Sequence, residues 1–143
     1  MTPDPTTANA FRTLALKVQS ERGACKFTDG LAWKLVVAKE GDHWTDQLCE
    51  DGIWYRRDEE DQCAYDTAPA LTSCLSDVVK FVATHAPDFD WTLDSTGTAT
   101  LASRVKGDAV TIGSAPGQPE RALLAAFLLL RARQANGAVK VTG

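Results

Sequence analysis

The chain has 143 residues, 15 Lys and Arg against 19 Asp and Glu, a net charge of −4 and 44% hydrophobic residues. That is the length of one domain and the composition of an ordinary globular protein. The acidic balance argues against a generic nucleic-acid binder, which needs a basic face for phosphate. The longest apolar run, Ala122 to Leu130, is far too short to span a bilayer.

The first residues carry Pro3 and Pro5 and read as a frayed end over 1–6. Thr6 or Thr7 can cap a first helix running to about Arg22, with Phe11, Leu14, Ala15 and Val18 on one stripe. Gly23 is a natural stop. Leu31 to Ala38 reads as a strand, and Ile53 to Arg56 as a second, short one. The stretch 40–68 is a polar, acidic insert with Gly-Asp and Asp-Gly turns and four consecutive acids, Asp58, Glu59, Glu60 and Asp61.

A second helix follows, with Thr72 or Ser73 as its cap and Leu71, Leu75, Val78, Val79 and Val82 as its apolar stripe, ending at Pro87. Trp91 and Leu93 alternate with polar residues as a half-buried strand. Ser95-Thr96-Gly97 turns the chain, Ala99, Leu101 and Val105 continue, Gly107-Asp108 turns it again, and Val110 and Ile112 follow. This is an antiparallel meander. Pro119 opens a last helix that reaches Gln134 and stops by Gly137. Because every residue from Ala122 to Leu130 is apolar, this helix must be covered on most sides, by flanking elements or by another subunit.

The expected fold is therefore α+β, with three helices and a mainly antiparallel sheet of about five strands in the order α-β-β-α-β-β-β-α. The core should centre on Leu124, Phe127 and Leu128, with Phe11, Leu14, Leu75, Val79, Trp33 and Trp91 around it.

The segment Ala68 to Val79, then Pro87, then Trp91 to Leu93, then Gln118 to Ala126, forms a series of structural motifs. It resembles the helix start, proline, Trp-containing strand and closing helix of small phage proteins. Phe11–Val18 and Leu31–Leu35 resemble their N-terminal helix and the Trp segment after it. The resemblance covers most of the chain. It implies a phage or prophage protein with an α-β-α sandwich type of domain, within a group mostly without assigned function. Leu71 stands where an aromatic is common, and the acidic insert Glu50–Asp61 is not part of that pattern.

Chemistry-bearing residues are sparse. His43 and His85 are few for acid–base catalysis, and no nucleophile elbow, zincin helix or phosphate loop is present. Cys25, Cys49, Cys63 and Cys74 have no Cys-x-x-Cys spacing, and the chain start lacks a basic and apolar leader. These point to free thiols, no metal, no cofactor and the cytoplasm of a bacterial host cell.

Two residue groups suggest binding. Trp44, Trp54, Tyr55 and Arg56, with Arg104, Arg121, Arg131 and Arg133, supply aromatic planes and guanidinium groups of the kind that hold a nucleotide. Asp58, Glu59, Glu60 and Asp61 supply an acidic surface for a basic partner. The leading expectation is a phage accessory binding protein, an anti-defence factor that sequesters a nucleotide signal or occludes a host protein. A small hydrolase or transferase on a nucleotide-type substrate and a structural, oligomer-forming protein are the rivals. A homodimer is expected.

Overall fold

A computed structural model describes residues 5–37, 69–104 and 110–136 in full, and the backbone of residues 43–44, 53–57 and 63–67. In chain order the elements are helices α1 (Pro5–Ser20) and α2 (Lys26–Val37), strands β1 (His43–Trp44), β2 (Ile53–Arg57) and β3 (Cys63–Thr67), helix α3 (Leu75–His85), strands β4 (Phe89–Leu93), β5 (Thr98–Ser103) and β6 (Val110–Ser114), and helix α4 (Pro119–Ala135). The class is α+β, but the expected three helices and single sheet of about five strands are not found. There are four helices among the described residues. The strands form two separate antiparallel sheets, β1-β2-β3 and β4-β5-β6.

Helix α2 stands where a strand was expected at Leu31–Ala38. A short apolar run does not by itself distinguish a buried strand from a helix. Tertiary bonding decides it. The Cys25 carbonyl accepts the first helical bond from the Asp29 amide (2.9 Å), and the Cys25 amide donates to Thr72 Oγ1 (2.8 Å). The Asp29 carboxylate accepts from the Thr72 amide (2.7 Å). Small and polar residues, Thr28, Asp29, Gly30 and Ala32, are what α2 buries, while Leu31, Trp33 and Leu35 pack partly against the core.

The other helices follow their apolar periodicity. α1 buries Phe11, Leu14, Ala15 and Val18. α3 buries Val78, Phe81 and Val82, with Leu75 and Val79 partly buried against the core. Its cap is Cys74 rather than Thr72 or Ser73, because Thr72 is committed to Asp29 and Cys25. Asp77 in the first turn accepts from the Ala70 amide (2.9 Å), placing a carboxylate at the positive end of the helix dipole. α4 is enclosed along most of its length, as its apolar run requires, with α1 and α3 packed beside it and β5 and β6 across it.

The sheet β4-β5-β6 meets α4 through one face. Cross-strand partners Leu101 and Thr111, and Ala99 and Gly113, share that face. On β6 it is Thr111 that is buried, whereas Ile112 is 57% and Val110 37% exposed. Gly113 carries no side chain at the point where β6 rests on α4, and the Thr111 hydroxyl donates to the Ala126 carbonyl (2.9 Å). Trp91 sits on the helix-side face but on the edge strand β4, and stays 37% exposed rather than joining the core. The main helix contacts of this sheet are with α4, and to a lesser extent α1. Among the described residues, the expected α-β-α sandwich, with helices on both faces of one sheet, is therefore replaced by a helix layer against one face.

Candidate functional site

The arginines expected to gather round a ligand are placed apart. Arg121 is fully enclosed. Its Nη1 donates to the Val18 carbonyl (3.0 Å), and its Nε and Nη2 donate to the Gly23 carbonyl. It satisfies the Val18 carbonyl that the last turn of α1 leaves open and the Gly23 carbonyl of the turn that follows. Arg131, about 15 Å further along α4 at the rise of an α-helix, donates to the His85 carbonyl (3.0 Å) and lies over the Phe127 ring at 5.5 Å. It closes the end of α3, and burial lowers its pKa. Arg104 pairs through Nε (3.1 Å) and Nη2 (2.8 Å) with Asp90 Oδ1 on the sheet surface, which raises its pKa.

Arg133 is different. Its Nη1 donates to the Val110 carbonyl on the outer edge of β6 (2.6 Å). At the other end of that strand the Ser114 amide donates to Gln19 Oε1 of α1 (2.9 Å). Between these two side chains lies Ile112. A cleft of about 290 Å³ runs beside the strand, lined by Arg12, Val110, Ile112, Leu129 and Arg133 among others. Arg12 donates to Asn9 Oδ1 (2.7 Å). Among the described residues neither Arg12 nor Arg133 faces a carboxylate within ion-pair distance. Arg12, Gln19 and Ile112 were not foreseen as site residues. The signal that could have found them is Gly113: glycine inside a strand marks close approach of another backbone, which turns the neighbouring apolar residues outward.

A second depression, of about 370 Å³, lies at the opposite edge of the sheet between the end of α3 and β4. Ala83, Pro87, Trp91, Asp90 and Arg104 line it. It brings an exposed indole near a guanidinium, although that guanidinium already holds Asp90.

Two titratable groups elsewhere are shifted. The His85 ring packs edge-on against Phe81 at 4.7 Å, and burial, with Arg131 nearby, lowers its pKa. The Cys25 thiol accepts from Thr28 Oγ1 (3.3 Å), which lowers its pKa. Among the described residues no three His, Cys, Asp or Glu stand where they could hold a metal, and no helix is long and apolar enough to cross a membrane.

The remaining expected site residues fall in the strands β1 and β2 or, in sequence, between β2 and β3. Register sets Trp44 opposite Arg56, Trp54 opposite Asp66 and Tyr55 opposite Tyr65. Their side chains lie outside the described residues, as do Asp58, Glu59, Glu60 and Asp61 entirely. No protein-family model matches the chain, no curated protein matches its sequence, and no solved structure matches its fold.

Proposed function

We propose that this protein acts by binding another protein, as a phage accessory factor directed at a host component. The observation that carries the reading is the outer edge of β6. There Val110 and Ile112 are exposed beside a cleft bordered by Arg12 and Arg133. Apolar side chains next to arginine are the composition of interaction surfaces. The phage and anti-defence parts of the proposal rest on the sequence resemblance at Ala68–Val79, Trp91–Leu93 and Gln118–Ala126. The acidic run Asp58–Asp61 is a second partner-binding candidate within the same proposal.

Nucleotide sequestration is the alternative favoured by a specific feature, the Trp91 and Arg104 depression at β4. An indole can stack on a base and a guanidinium can hold phosphate. It stands second because a phosphate would have to displace Asp90 from Arg104.

Affinity purification from host cells with wild type and Ile112→Lys, alongside thermal-shift measurements with mononucleotides, cyclic nucleotides and ADP-ribose, separates the two. A host protein held by wild type and lost with Ile112→Lys supports the first reading. A nucleotide-induced rise in Tm that vanishes in Trp91→Ala supports the second. Loss of intact nucleotide in those mixtures, seen by chromatography, would point to catalysis and overturn both.

A further inference from the structure

β6 is an edge strand, and its parity is set by two side chains. In an antiparallel ladder the N–H and C=O of one residue point the same way, and alternate residues point to opposite sides. The Ser114 amide and the Val110 carbonyl are both taken by side chains from outside the sheet, Gln19 and Arg133. Val110, Ile112 and Ser114 therefore present their backbone groups outward, while Thr111 and Gly113 pair with β5. The outward groups at the two ends are occupied. Those of Ile112 have no partner among the described residues.

The two sides of this edge differ chemically. The Val110 and Ile112 side chains stand on the sheet face away from α4. Arg12 and Arg133 come from α1 and α4, on the helix side. A strand laid along β6 would thus meet apolar side chains on one face and guanidinium groups on the other, in the alternation that a strand's own side chains follow.

Resting on the reading of β6 as the binding edge, we infer that it accepts an extended segment of a partner protein as a fourth strand, and that this segment alternates apolar with acidic residues. The acidic side chains draw Arg133 away from the Val110 carbonyl. A guanidinium–carboxylate bond is stronger than the same guanidinium on a neutral carbonyl. Release of Val110, together with movement of Gln19 off Ser114, exposes the backbone groups that the incoming strand pairs with. Arg133 is in this way both a guard of the edge, of the kind that keeps exposed strands from pairing indiscriminately, and the group that recognises the proper partner. A second copy of this chain is a poorer occupant: Val110–Ser114 contains no acidic residue, so pairing of two β6 strands leaves Arg12 and Arg133 unmatched.

The test uses the full chain and an acetylated, amidated ten-residue peptide alternating valine with glutamate. The peptide should bind in low salt and slow hydrogen exchange at the Ile112 amide. Arg12→Gln and Arg133→Gln should each weaken it about tenfold, as should replacement of its glutamates by glutamine. No binding at millimolar peptide, or binding that leaves Ile112 exchange unchanged, overturns the inference. So does undiminished binding of a peptide N-methylated at every residue, which keeps the side chains but has no backbone N–H with which to pair as a strand. That last result would leave β6 standing as a binding surface while removing strand addition. Light scattering that gives a dimer dispersed by Ile112→Lys would make a second copy the occupant, and would also overturn it.

Discussion

Gly113 on β6 and Ala122 on α4 meet backbone to backbone. A methyl group at Gly113 would overlap the Ala122 carbonyl oxygen and stand 2.6 Å from the Ala126 amide nitrogen and 3.1 Å from the Ala125 Cβ. At this point the strand is seated directly on the helix, with no side chain between them. Gly113→Ala should therefore destabilise the fold by about 3 kcal/mol, the upper range for an overpacked core. Urea denaturation gives the value, and an unchanged midpoint would contradict this contact.

Arg121 ties the end of α1 to the start of α4 through the carbonyls of Val18 and Gly23. Arg121→Met keeps an unbranched apolar stem and removes every donor. The orphaned carbonyls and the disturbed packing should cost about 3–5 kcal/mol. Arg121→Lys should recover only part of that loss, since one ammonium cannot reproduce the guanidinium fork. Equal stability of the lysine variant and wild type, by chemical denaturation, would argue against the fork.

His85 should make the protein sensitive to mild acid. Burial and Arg131 hold its pKa below the ordinary value of 6.5, so the folded state favours the neutral ring. The stability this contributes is present above pH 6.5 and is lost as pH falls through the folded-state value. His85→Phe retains a ring against Phe81 and removes the titration. Melting curves from pH 8 to pH 5 should show a smaller decline in the variant than in wild type. Parallel declines would remove His85 as a source of the acid sensitivity.

The Cys25 thiol should react more readily than an ordinary cysteine, because the Thr28 hydroxyl stabilises its thiolate. Thr28→Val should slow alkylation of Cys25 by iodoacetamide at pH 7.5 severalfold, leaving the rate at Cys74 as an internal reference. Peptide mass mapping over time reads both rates. No change at Cys25 would mean that the hydroxyl does not govern its reactivity.

Sequence periodicity by itself determined α1, α3 and α4, because each carries enough apolar residues to define the side that must leave water. The Ser95–Gly97 turn and the alternation around it likewise determined the β4-β5 pairing. The burial of Leu124, Phe127 and Leu128 followed from the apolar run of α4 alone.

Only the tertiary structure decided the rest. Leu31–Val37 became helical because Cys25, Asp29 and Thr72 bond across a distance that local pattern does not encode. The strands divided into two sheets, and the strand Cys63–Thr67 had no apolar alternation strong enough to declare it. Arginines that look alike in the chain were sorted by position, Arg121 and Arg131 to the ends of helices, Arg104 to Asp90 and Arg133 to a strand edge. The outward turn of Ile112 has the same origin. Which face of a strand is buried depends on what lies against it, and close approach of α4 favoured Gly113 and Thr111 over the larger Val110 and Ile112.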